Sequence, residues 1–202
     1  MVRAREVILE RGGAARANVF TRIALALFAQ VPWRAVPLMR VEAMLLPRWA
    51  PFHVDKVSYW SRTVMVPLFV LAALKPKARN PRGIGIQELF LVPPDEQRDY
   101  LHNPTGHWLG DIFLLLDRVG RMAEPLIPGW LERKAIDKAM AFIDERMNGE
   151  DGLGGIFPAM ANAVMALDAL GCGRDDPKFQ TARKAIDKLL VFNNGHAYCQ
   201  PC

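Results

Sequence analysis

The sequence has little cysteine: three residues in 202, two of them in the terminal "CQPC". An odd count gives no even disulfide framework, and a reduced, cytosolic chain is the simplest reading. A C-x-x-C pair can be half of a zinc site. The other half is wanting, since of four histidines only His196 lies nearby. Ordinary thiols fit the composition better. A redox centre would need a thioredoxin-like strand ahead of the pair, and "LLVFNNGHAY" makes a poor one. No metal and no cofactor are expected.

Membrane-spanning runs are lacking too. The uncharged stretch "TVMVPLFVLAAL", Thr63 to Leu74, falls short of the ~20 residues a spanning helix needs and contains Pro67. A signal peptide is equally absent: Glu6 and Glu10 interrupt the basic start, and the apolar run at Ile23 to Ala29 comes late. The expected location is therefore the cytosol or the cytosolic face of a membrane, as a peripheral protein. A concentrated basic patch is also missing. The formal charge is +5, but acids are interspersed with the bases, so no nucleic-acid partner is expected. An anionic membrane surface accounts for the same balance equally well.

What the sequence does have is apolar content, 51% of residues, which excludes a disordered chain. Breakers divide it into helical blocks. "RAREVILE" stops at Gly12 and Gly13; "ANVFTRIALALFAQ" runs from a cap at Asn18 to Pro32. "VDKVSYWSRTVMVPLFVLAAL" carries Trp60, Val64, Leu68 and Leu71 at helical spacing. Residues 75–107 hold five prolines and open with Lys75, Lys77, Arg79 and Arg82, which reads as a long irregular connection. From Trp108 helical periodicity resumes. In "LERKAIDKAMAFIDERM" Ile136, Met140, Ile143 and Met147 form one stripe, as an outer helix requires. Phe157 to Leu170 is apolar all round, which predicts an inner helix covered on every side.

The hexapeptide "RKAIDK" occurs at Arg133 to Lys138 and again at Arg183 to Lys188, 50 residues on. Each copy is expected to open an amphipathic helix, making residues 133–202 a helical-hairpin repeat. Outer helix, glycine turn, inner helix and outer helix is the order of a double-layered α/α barrel. The expected fold is all-α: an incomplete α/α barrel, with residues 1–202 as one partial domain.

Several segments together carry a resemblance: "FTRIALALFAQVPW", "MLLPRW", "KVSYWSRTVMVPLFVL", "NPRGI", "DGLGGIFPAMANAVMAL" and "AYCQPC" resemble, in order, bacterial squalene-hopene cyclases. The resemblance implies the α/α toroid of terpenoid cyclases, attachment to one membrane leaflet, and squalene or a related polyprenoid as the substrate cyclised to hopene or hopanol. It implies further partners: lipid of that leaflet, the remainder of a cyclase chain, and a second copy in a homodimer. Trp60, Ile156, Phe157, Pro158 and Gln200 match positions at the substrate cavity, and Val57 and Met65 match the channel constriction. Phe157 stands where some members have glutamine. The family's repeat pairs a glutamine with a tryptophan across the glycine turn; here those places hold Met147 and Leu153.

Membrane contact falls on Trp108, Ile112, Phe113, Leu114, Leu115 and Leu116, with Trp130 as a second anchor. Periodicity alone leaves a buried core helix open for the same residues. No catalytic residue is expected, because the family's D-x-D-D acid has no counterpart: the single Asp-Asp pair, Asp175-Asp176, has Gly173 at the required position. Protonating an alkene needs a strengthened, positioned acid, so the chain alone is expected to be inactive. Two other classes stay open. One is a different α/α barrel enzyme such as a protein prenyltransferase subunit, which would need an Asp, Cys and His zinc set. The other is a non-enzymatic remnant that binds lipid.

Overall fold

The computed structural model describes residues 2–103, 106–149, 151–193 and 195–200. Cys202, half of the terminal cysteine pair, lies outside them. The chain forms two compact units, each discontinuous in sequence: Met1–Leu38 with Lys75–Leu126, and Met39–Leu74 with Ile127–Cys202.

In the first unit, α1 (Val2–Glu10) ends in the left-handed pair Gly12 and Gly13, with φ of 95° and 72°. A β-carbon on Gly13 would lie 2.7 Å from the Leu89 carbonyl oxygen, so the backbone here passes too close for a side chain. α2 (Val19–Leu27) starts where its cap predicts: the Asn18 side chain accepts from the Thr21 N–H at 2.9 Å. Asn18→Ala removes that acceptor and is expected to cost about 1 kcal/mol, read from the thermal midpoint by circular dichroism. An unchanged midpoint would count against the cap. α2 stops five residues before Pro32, because Ala29 turns to φ 56° and the Gln30 N–H returns to the Leu25 carbonyl. Residues 75–103 contain only one regular piece, the 3₁₀ turn Gln87–Leu89. Side chains hold this connection in place: Arg16 pairs with Asp99 at 3.3 Å, and the buried Tyr100 donates its hydroxyl to the Pro94 carbonyl at 2.7 Å. α4 (Trp108–Ala123) completes the unit.

In the second unit, α3 (Tyr59–Leu74) packs against α5 (Gly129–Arg146) and α6 (Phe157–Ala169), and α6 packs in turn against α7 (Pro177–Asp187). Val66, Val70 and Leu71 of α3, Ile143 of α5 and Leu167 of α6 are almost wholly buried and form this unit's core. Between α5 and α6 lie two short strands, β1 (Met147–Asn148) and β2 (Gly152–Leu153), paired antiparallel. A second hairpin, β3 (Leu190–Asn193) with β4 (His196–Cys199), follows α7, turning through Gly195 at φ 78°. The segment that reads as a poor strand is thus two strands, with Gly195 in the left-handed region where they reverse.

Three expectations need correction. α3 begins at Tyr59, since Val54–Lys56 is a separate 3₁₀ turn and the Ser58 hydroxyl receives the Ser61 N–H at 3.3 Å as a cap. The hexapeptide opens neither helix: Arg133 is in the second turn of α5, whereas Arg183 lies near the end of α7. What recurs is a helix followed by a β-hairpin, and the two copies of the hexapeptide are out of step with it. α6 is not covered on every side; Ala159, Met160, Ala163, Ala166 and Leu167 are buried, while Phe157 and Leu170 remain exposed. The fold is mainly helical, as expected, with two short hairpins added.

Candidate functional site

The N-terminal ends of α3 and α6 meet, and most of the expected cavity residues gather there. Trp60, on the first turn of α3, is 56% exposed and meets Tyr59 edge-on, with ring centroids 6.0 Å apart. Its carbonyl accepts from the hydroxyl of buried Thr63 at 2.8 Å. Against Thr63 lies the glycine turn: a β-carbon on Gly154 would stand 2.8 Å from the threonine hydroxyl oxygen, and Gly154 has φ 71°. Glycine is what lets the turn rest on this helix end. Two residues later Ile156 occupies the N-cap of α6, half-buried, and Phe157 and Pro158 form the first turn, both exposed. Proline fits there because its missing N–H would have no helical partner.

Met65 is half-buried on α3, five residues beyond Trp60 and off its stripe. Val57 is not on α3, contrary to expectation; it closes the 3₁₀ turn before it. Polar contacts hold that turn to the helix: Arg62 donates to Asp55 at 3.0 Å, and the Asp55 N–H reaches His53 Nδ1 at 3.0 Å. Gln200 is exposed, and its backbone N–H donates to the Leu189 carbonyl at 2.7 Å. Met147 and Leu153 are direct cross-strand partners, with Leu153 fully buried. The place of the polar clamp is thus filled by an apolar pair.

α4 presents an inverted helix to its unit. Trp108, Ile112, Phe113, Leu115 and Leu116 are all more than 40% exposed, Leu114 is half-buried, and no residue of α4 is buried. Its polar edge faces inward. Asp117 accepts from the Leu38 N–H and from Arg121, at 2.5 and 2.6 Å, and Arg121 reaches the Val36 carbonyl at 2.6 Å. Within this chain the apolar side of α4 is left uncovered. Among the described residues no helix is long and apolar enough to cross a membrane. Trp130, on α5, is also exposed. Lys75 is paired with Glu124 at 2.6 Å, which removes one charge from the basic run that continues through Lys77, Arg79 and Arg82.

A cavity of about 260 Å³ in the first unit has no counterpart in the sequence reading. Arg34, Arg98, Arg118 and Arg121 line it, beside Tyr100, whose phenol is pushed up by burial. These arginines come from three separate segments, so no local charge run announces them. In the second unit the Asp175-Asp176 pair is placed as part of a helix start: Asp176 caps α7, accepting from the Lys178 N–H at 2.8 Å.

With this geometry in place, comparison with known proteins gives a consistent result. The squalene-hopene cyclase N-terminal domain model matches residues 1–194. The squalene-hopene cyclase of Bradyrhizobium diazoefficiens is 54% identical over the whole chain, and that of Zymomonas mobilis is 50% identical. A probable squalene-hopene cyclase of Sinorhizobium fredii is 53% identical, again over the whole chain. The chain spans 31% of the length of each of these relatives. With its stacked helices, its glycine turn on α3 and a match over nearly its full length, the chain belongs to the squalene-hopene cyclase family, as an incomplete α/α barrel of the terpenoid-cyclase type.

Proposed function

We propose that this chain builds part of the cavity wall of an enzyme that cyclises squalene to hopene or hopanol. The observation that supports the reading is the packing of the Gly154 turn on Thr63, three residues beyond Trp60 on α3, with Ile156, Phe157 and Pro158 following at the start of α6. Such a wall is apolar and aromatic, as a hydrocarbon needs. When a carbocation passes, the face of Trp60 stabilises it through the ring quadrupole without offering a nucleophile. Ile156, Phe157 and Pro158 exclude water that would quench the cation early. The acid that starts the reaction is supplied by a D-x-D-D segment that this sequence does not contain. Asp176, tied to a helix N-terminus, does not replace it.

The exposed face of α4 is proposed to enter one leaflet at the cytosolic surface, with Trp108 at the interface. Its inward-turned polar edge supports this reading, because that edge makes the contacts a soluble helix usually makes through its apolar side.

The test is a chimera in which this chain replaces the matching third of the Bradyrhizobium diazoefficiens enzyme, assayed for hopene from squalene by mass spectrometry. The chain alone is expected to give none and the chimera to be active. Trp60→Ala in the chimera is expected to lower the rate about thirtyfold, the loss of one desolvated cation–π contact of about 2 kcal/mol. A folded, membrane-bound chimera without product would overturn the proposal.

A further inference from the structure

The structure assigns to the arginine-lined cavity of the first unit a second binding role: it is a site for a phosphate group. The cavity is small, about 260 Å³, below the ~300–1,000 Å³ of pockets for drug-sized ligands, and six of its nine lining residues are charged. Both features exclude a long hydrocarbon and favour a compact ion. Its charge decides the sign. Two aspartates line it with the four arginines, but both are already paired, Asp117 with Arg121 at 2.6 Å and Asp99 with Arg16 at 3.3 Å. Arg34 donates to the backbone carbonyls of Pro94, Asp95 and Gln97, which fix the side chain and leave its charge uncompensated. Among the described residues the side chains of Arg98 and Arg118 make no ion pair and no hydrogen bond. Three guanidinium charges therefore border one small space without counter-charge.

Guanidinium forks match oxyanions, and their number selects among them. A carboxylate offers two coplanar oxygens, whereas a tetrahedral phosphate offers oxygens in several directions and can engage forks arriving from separate segments. Anchoring is also in place. Buried Arg22 donates to the carbonyl of Tyr100, and the Tyr100 hydroxyl is bound to Pro94, so this wall of the cavity is fixed before any ligand arrives.

The same chemistry can come from free phosphate or from the headgroup of an anionic lipid. Arg118 lies on α4 between the cavity and the exposed apolar face, and a helix lying in the interface is about 10–12 Å across, which places its upper side near headgroup level. Only this lipid source rests on the membrane reading of α4; the anion site stands on its own residues.

The experiment uses the whole chain and the double variant Arg98→Gln/Arg118→Gln, with Arg133→Gln/Lys134→Gln on the exposed face of α5 as a charge-matched control. Flotation with phosphatidylcholine vesicles, with and without phosphatidylglycerol, is run beside titration with inorganic phosphate followed by tryptophan fluorescence. Each arginine is expected to contribute about fivefold, so the double variant loses about 25-fold in phosphatidylglycerol-dependent binding while the control loses less than about twofold. Saturable phosphate binding that the double variant lacks, without a matching vesicle effect, supports the site with free phosphate as its occupant. Equal behaviour of wild type, double variant and control towards both probes overturns the site. Binding to pure phosphatidylcholine in all three proteins would leave the membrane reading standing in that case, and its loss would remove the membrane reading alone.

Discussion

Gly152→Val is expected to lower the thermal midpoint of the chain by about 10 °C or more. Gly152 is buried and sits at φ 62°, a region that costs an ordinary residue about 1–2 kcal/mol and a β-branched one more. Space is lacking as well. A β-carbon there would stand 2.5 Å from the Ala185 β-carbon and 3.1 Å from both Cγ and Sδ of Met160. Overpacking of this kind adds about 1–3 kcal/mol, because α6 and α7 must part to admit the new atoms. The sum, about 2–5 kcal/mol and towards the upper end for a β-branched side chain, converts to the stated shift at roughly 2–4 °C per kcal/mol for a chain of this size. Gly149→Ala is the control: its surroundings are open and its φ is not positive. Melts by circular dichroism check both. A Gly152→Val midpoint within ~2 °C of wild type would mean that the turn does not pack on α7 as described.

Leu71→Ala should be comparably damaging for the opposite reason. Leu71 has no exposure and stands in α3, which both α5 and α6 pack against. Truncation loses the transfer free energy of the side chain and leaves a cavity that its neighbours fill only in part, a cost of about 2–5 kcal/mol. Chemical denaturation gives the value directly, and the slope of the transition reports whether the cooperative unit survives. Leu190→Ala, in the exposed part of β3, is expected to change stability by less than ~0.5 kcal/mol. If the two leucines proved equivalent, α3 would not be the centre of its unit.

The sequence made the helices legible wherever a local signal and a periodic one agreed. Asn18 ahead of an apolar run marks the start of α2, and the stripe of Ile136 and Ile143 marks the buried side of α5. The beginning of α3 escaped because periodicity runs on through Val57, while a serine hydroxyl and an aspartate–arginine pair divide the segment. Periodicity also cannot say what an apolar face meets. The polar edge of α4 is placed by Asp117 and Arg121, whose partners Leu38 and Val36 are some 80 residues away in the chain. The cavity residues are expected from resemblance alone; the structure brings the Trp60 and Ile156 segments together through Thr63 and Gly154. The arginine cavity had no linear signature, since Arg34, Arg98 and Arg118 meet only when the irregular connection is folded.

The discontinuity of the second unit has a consequence for how the chain comes into being. α3 is complete at Leu74, but α6, which covers much of its apolar side, begins only at Phe157, after the intervening segment of the other unit has been made. At about 5–20 residues per second, the ribosome takes roughly 4–16 s to cross that distance. Throughout this interval Val66, Val70 and Leu71 are without the neighbour that buries them in the finished molecule. Early synthesis therefore ends with a greasy helix waiting, and whichever apolar surface reaches it first, chaperone or bilayer, acts as a stand-in for α6.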